Sequence, residues 1–175
     1  MKKILIVVDM QKDFVDGALG TIEAQGIVEN VVEKIKNHDG DIIVTHDTHF
    51  ENYMQTQEGK NLPVPHCING TDGWKLDSKV QKALENKKYK TIEKLTFGST
   101  ELPEYIKAHY NEKDIEIELI GLCTDICVVS NALLLKANFL ETKISVDAKC
   151  CAGVTVDSHN AALTTMKMCQ IEVKE

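Results

Sequence analysis

The sequence predicts an α/β protein: a doubly wound, mostly parallel six-stranded sheet with helices on both faces. Three observations carry this expectation. Short apolar runs alternate with segments of helical period along the whole chain. Several of those runs are near-continuous Ile, Val and Leu, as strands buried on both faces require. The length of 175 residues suits one domain spanning 1–175, with no repeat, low-complexity tract or linker to divide it.

The elements follow in order. Residues 3–8 read as the first strand, where the apolar run Ile4 to Val8 is stopped by Asp9. A helix at 25–38 leads to a strand at 41–46, built on Ile42-Ile43-Val44. Segment 47–74 is too long for an ordinary crossover, and loops of that length inside compact domains usually carry function. A helix at 75–87 precedes a strand at 89–93, and Leu102-Pro103 punctuates the start of a helix at 101–110. The strand at 115–120 ends at Gly121 and gives way to a helix at 125–139 opened by Thr124 and Asp125. A strand at 142–147, a helix at 156–169 capped by Asp157 or Thr155, and a strand at 170–174 complete the pattern.

Composition excludes several classes of function. A net charge of −7 argues against nucleic acid or an anionic membrane as the main partner. No apolar run approaches the ~18 residues of a membrane span. Met1-Lys2-Lys3 followed by Ile4 to Val8 is too short and too soon ended by Asp9 to be a signal peptide. The six cysteines match no CxxC metal pair, and a chain this rich in apolar periodicity needs no disulfide framework. Reduced thiols in a cytoplasmic protein is the better reading, with the adjacent Cys150 and Cys151 projecting in different directions and filling space.

Doubly wound sheets bind ligands outside the carboxyl ends of their strands, so the residues there deserve the closest reading. Cys127 falls in the first turn after Gly121, where a helix dipole and unpaired backbone N–H groups favour a thiolate and can hold an oxyanion. An isolated cysteine near a helix start is more often a small buried residue than a nucleophile. Asp9 ends the first strand, where desolvation raises a carboxylate toward the range of a useful base, and Lys94 ends the third. Singly, Asp9 reads as a turn cap and Lys94 as a solvated strand end; together with Cys127 at one sheet edge they suit nucleophilic catalysis.

The long segment supplies a second cluster. Asp47 and His49 follow the second strand and, being alternate residues, project to one side, while His46 points the other way. With Glu58 and His66 from the loop they form a mixed carboxylate–imidazole set suited to one divalent metal ion, zinc first, with iron or manganese also fitting. A polar surface loop is the other reading of the same residues. His38, His109 and His159 lie on expected helices, where structural or solvated roles are the default.

These motifs resemble the nicotinamidase branch of the isochorismatase-like cysteine hydrolases. The resemblance covers nearly the whole chain. It rests on Asp9-Met10-Gln11-Lys12-Asp13-Phe14, Lys94-Leu95-Thr96-Phe97-Gly98-Ser99, Gly121 to Val128, and Ser158-His159-Asn160-Ala161-Ala162-Leu163. Asp47-Thr48-His49 and His66-Cys67-Ile68-Asn69-Gly70-Thr71-Asp72-Gly73 place it on the metal-bearing side of that family. The resemblance implies that Asp9, Lys94 and Cys127 are catalytic, and that backbone N–H groups of Cys123 and Cys127 form the oxyanion hole. It also implies a cis Leu122–Cys123 peptide, Phe14 flanking the substrate ring, and a metal on Asp47, His49, Glu58 and His66 that fixes a ring nitrogen. The implied partner is a small-molecule amide, hydrolysed through a thioester, and homo-oligomers are common among relatives. Other small amides, carbamoyl compounds or vinyl ethers are alternative substrates. A catalytically silent binding module and a flavodoxin-like nucleotide binder are further alternatives. The nucleotide binder is disfavoured because Met10-Gln11-Lys12-Asp13 stands where a Gly-rich loop belongs. Two positions differ from the common pattern: Leu62-Pro63-Val64-Pro65 replaces a tryptophan before the metal histidine, and no histidine lies between His49 and His66.

Overall fold

The computed structural model describes all residues, 1–175. In chain order the elements are β1 (Lys2–Val8), α1 (Lys12–Val15), α2 (Ile22–Gly26), α3 (Val28–Asn37), β2 (Asp41–Asp47), α4 (Gln57–Asn61), α5 (Ser78–Leu84) and β3 (Tyr89–Lys94). They continue with α6 (Glu101–His109), β4 (Ile115–Leu122), α7 (Val129–Asn138), β5 (Lys143–Ala152), α8 (Val156–Met168) and β6 (Glu172–Lys174). All pairings are parallel, in the order β3-β2-β1-β4-β5-β6, so the expected sheet is present without an antiparallel strand.

The near-continuous apolar strands are buried on both faces, as their composition demands. Along β1, Ile4, Ile6 and Val8 join one core while Leu5 and Val7 join the other. The first core packs against α6, α7 and α8 through Leu102, Ile106, Val128, Leu135 and Met166. The second packs against α3 and α5 through Val31, Ile35, Val80 and Leu84. Cys151 lies in the first core and Cys150 in the second, so the adjacent pair does project to opposite faces.

Several expected boundaries shift for local reasons. The expected 25–38 helix is two helices: Thr21 caps α2 through Ala24 N–H at 3.0 Å, and α3 starts afresh at Val28. The 75–87 helix shrinks to Ser78–Leu84, because the Asp77 carboxylate caps it by accepting from Lys79 and Val80 N–H. β5 runs on to Ala152, five residues past expectation, because Cys151 and Ala152 re-pair with Gly121 and Leu122 beyond a bulge. Thr155, not Asp157, caps α8 in a capping box with Ser158. The long 47–74 segment holds a short 3₁₀ turn (Tyr53–Gln55) and α4, and it is pinned by bridges His49–Ile68 and Gln11–Leu76.

The chain reverses its winding direction between β1 and β4, and this switch point is where open α/β sheets bind ligands. Gly121 makes the close approach there. Its φ is +116°, and a Cβ at this position would sit 2.1 Å from the Val8 carbonyl oxygen.

Candidate active site

Four strand ends converge on the carboxyl edge. Asp9 follows β1, Asp47 ends β2, Lys94 ends β3, and Cys127 lies in a π-helical turn (Thr124–Val128) after β4. Asp9 has φ +46°, a left-handed conformation that short polar side chains tolerate best and that turns the chain off the strand. Asp9, Lys94 and Cys127 are all buried.

Lys94 is the hub. Its Nζ lies 2.6 Å from Asp9 Oδ2 and 3.3 Å from Asp47 Oδ1, and donates to the Thr96 carbonyl at 3.0 Å and to Cys127 Sγ at 3.4 Å. Thr45 Oγ1 donates to the other Asp9 oxygen at 2.6 Å. Burial raises the Asp9 pKa above the ordinary carboxylate value, against the lowering pull of Lys94. Burial alone would lower the Lys94 pKa, but Asp9, Cys127 and Asp47 together hold it above the usual lysine range. The charged ammonium is therefore the favoured form.

Cys127 corrects one expectation. The helix start was expected to lower its pKa, yet burial pushes the thiol well above its ordinary value, Asp9 adds to this, and Lys94 only opposes it. A thiolate forms here only if its proton moves to a neighbour, and Asp9 is the raised carboxylate beside it. Thr124 and Asp125 do not cap the helix as expected. Thr124 Oγ1 pairs with His159 Nδ1 at 2.7 Å, and Asp125 accepts from Val154 N–H at 3.2 Å, so both tie the turn to α8 and the end of β5. The Leu122–Cys123 peptide is cis, as the resemblance implied. The Cys123 thiol, half-buried, is pushed up to about 12 by burial and the Asp125 charge.

Beside this trio, Asp47, His49, Glu58 and His66 bring one ligand atom each within 4.8 Å of one another. Asp47 Oδ2 lies 3.0 Å from His49 Nε2 and 3.6 Å from His66 Nε2, and Glu58 Oε1 lies 3.5 and 3.8 Å from the same nitrogens. His66 Nδ1 donates to the Val64 carbonyl at 2.8 Å, which leaves Nε2 free to ligate. Burial raises the Asp47 pKa, but the bonds with His49 and His66 and the Lys94 charge outweigh it, and the carboxyl is held well below the usual range. Two imidazoles and two carboxylates converging on one point fit a divalent ion such as zinc. All four expected ligands are thus brought together, Glu58 among them. Phe14 lies edge-on to the His66 ring at 5.4 Å, at the wall of this cluster. His46 turns away from it, buried against Trp74, and burial lowers its pKa to about 4.

Several supports were not legible as functional. The Gln11 carboxamide accepts from Asp47 N–H at 2.7 Å and donates to the carbonyls of Asp47 and Trp74, each at 2.8 Å. Asp13 accepts from Cys67 N–H at 2.8 Å and so anchors the loop bearing His66. Tyr53 packs against both His49 and His66 and donates to the Leu62 carbonyl at 2.9 Å. Asn131 bonds the Cys127 and Phe97 carbonyls and Ser99 N–H, joining the nucleophile turn to the loop after Lys94. The motif around Asp9 held the signal for Gln11 and Asp13, but nothing local marked Tyr53 or Asn131.

A doubly wound sheet with a buried Asp–Lys–Cys trio beside a carboxylate–imidazole cluster has the make-up of a cysteine hydrolase. The isochorismatase domain matches residues 3–174, and the chain belongs to that family. It is 28% identical over 188 residues to a nicotinamidase/pyrazinamidase of Mycobacterium tuberculosis, covering 98% of this chain and 97% of the relative. Its structure resembles a nicotinamidase of Bacillus subtilis with a TM-score of 0.83, 27% identity and 100% coverage of both chains. It also resembles a pyrazinamidase of Pyrococcus horikoshii solved in complex with zinc, with a TM-score of 0.81, 24% identity, and coverage of 100% and 99%.

Proposed function

We propose that the chain is a metal-assisted cysteine amidohydrolase that converts nicotinamide to nicotinate and ammonia. The observation that carries this reading is the single ammonium of Lys94, within 3.4 Å of a buried carboxylate and a buried thiol.

Asp9 takes the Cys127 proton, and Lys94 stabilises the resulting thiolate beside the neutral carboxyl. Sulfur attacks the amide carbonyl, and the developing oxyanion is held by backbone N–H groups of Cys123 and Cys127. Asp9 then gives its proton to the departing nitrogen, the C–N bond breaks, and ammonia leaves a thioester on Cys127. Asp9 next takes a proton from water, the hydroxide adds to the thioester, the C–S bond breaks to release the acid, which ionises to nicotinate, and Asp9 returns its proton to the Cys127 sulfur. Asp47, His49, Glu58 and His66 would hold the divalent ion, zinc first, which supplies a Lewis-acid seat for the pyridine nitrogen. Phe14 flanks the ring beside that seat. Such positioning can be worth ~100-fold in rate. Six unpaired cysteines suit a reducing cytoplasm, and the reaction would serve pyridine-nucleotide salvage.

The test is ammonia release from nicotinamide by the zinc-loaded protein, with Asp9→Asn, Lys94→Ala and Cys127→Ala alongside. Each substitution is expected to abolish release. Near-normal turnover in any one removes that residue from the assignment, and no release by the wild type removes the substrate.

A further inference from the structure

A cavity of about 680 Å³ opens beside the candidate metal cluster. Its lining joins the two halves of the site: His49 and Glu58 on one side, and Thr96 and Ile126, neighbours of Lys94 and Cys127, on the other. A cavity of this size falls within the roughly 300–1,000 Å³ range that holds drug-sized ligands, well beyond one six-membered ring with a carboxamide.

One wall of the cavity's outer part is apolar where solvent should favour polarity, facing the polar Gln57 and Asn61 in the same lining. Leu95 is 69% exposed, Phe97 44% and Leu62 39%, and all three line it. This wall is fixed in place. The Lys94 ammonium holds the Thr96 carbonyl, Asn131 holds the Phe97 carbonyl at 3.1 Å, and the Tyr53 hydroxyl holds the Leu62 carbonyl. The backbone that follows Lys94 therefore presents Leu95 and Phe97, and the segment bearing Glu58 presents Leu62. A preformed, unpaired apolar wall continuous with a reaction site fits an apolar part of the substrate.

We infer that the Leu62–Leu95–Phe97 wall is an extension subsite, and that the preferred substrate is a heteroaryl carboxamide carrying an apolar substituent or a second fused ring. This rests on the amidohydrolase reading and narrows its substrate class. Nicotinamide fills only the inner end, and the extension lies along Leu95 and Phe97.

The experiment compares kcat/KM for nicotinamide, 5-propylnicotinamide and quinoline-3-carboxamide in the wild type and in the doubly substituted Leu95→Ser/Phe97→Ser protein, with oligomeric state followed by sedimentation. The expected result is that at least one larger amide equals or exceeds nicotinamide. The double substitution should then cost that amide roughly tenfold more than it costs nicotinamide, mostly in KM. Preference for nicotinamide over both larger amides overturns the inference while leaving the amidohydrolase reading intact. A parallel fall for all substrates also overturns it. So does a wild-type dimer that the double substitution makes monomeric while larger amides are excluded, since a second copy then covers the wall. Failure of every amide, nicotinamide included, removes the amidohydrolase reading and the extension subsite with it.

Discussion

Gln11 grips the Asp47 peptide from both ends, its Oε1 accepting the N–H at 2.7 Å and its Nε2 donating to the C=O at 2.8 Å. Both residues are buried, so the pairing fixes the backbone of a candidate metal ligand with no water to replace it. Gln11→Ala strands the Asp47 N–H and the Asp47 and Trp74 carbonyls, each at about 1–3 kcal/mol. Urea unfolding should therefore show a loss of roughly 3 kcal/mol or more. Zinc affinity, read by competition with a chromogenic chelator, should fall about 10–100-fold. Unchanged zinc affinity in a folded Gln11→Ala protein would show that the grip positions nothing.

The pH dependence of kcat/KM follows from Asp9. Burial raises its pKa, and if Asp9 is the base the reaction needs it ionised, so activity should climb with pH through an apparent value above the ordinary 3.8. The Thr45 hydroxyl lowers that pKa by donating to the carboxylate. Thr45→Val should move the acid limb to higher pH, and Thr45→Ser should restore it. A pH profile indifferent to both changes would take Asp9 out of the base role.

Gly121 is a steric prediction independent of chemistry. Alanine there must accept φ +116° and a methyl 2.1 Å from the Val8 carbonyl. Strain and overpacking of this kind cost roughly 2–4 kcal/mol. For a chain of this size that lowers Tm by about 5–15 °C, measurable by calorimetry.

Glu58 is the candidate ligand with the least burial, its side chain 20% exposed. If it completes the set, Glu58→Gln should weaken zinc about 10–100-fold and remove part of the thermal stabilisation that added zinc provides. A zinc titration identical to the wild type would reduce the set to Asp47, His49 and His66.

The fold class was legible because buried parallel strands leave an unmistakable composition, as Ile4 to Val8 and Ile42 to Val44 show. Where strands end was less so: β5 runs to Ala152 only because β4 offers a partner past Gly121, a pairing no local pattern encodes. Site residues borne on strand ends or in compact motifs could be read directly, and Asp9, Lys94, Cys127 and the four candidate ligands do converge. Supports acting across distant elements, such as Asn131 to Phe97 and Tyr53 to Leu62, carry no spacing that reveals them. The thiol's pKa is not legible in the sequence because a helix start is local and visible, whereas burial is collective. For Cys127 burial outweighs the helix start.

Lys94 belongs to β3, one of the two edge strands, which is hydrogen-bonded on one side only, to β2. Sheet margins open at lower free energy than sheet centres. The cation that joins acid, thiol and candidate metal cluster is thus held on an edge strand of the sheet. Catalytic silence should accordingly precede global unfolding: at modest urea, ammonia release should vanish while the far-ultraviolet circular dichroism of the remaining sheet and helices persists. Activity in this molecule doubles as a gauge of whether its margin is closed.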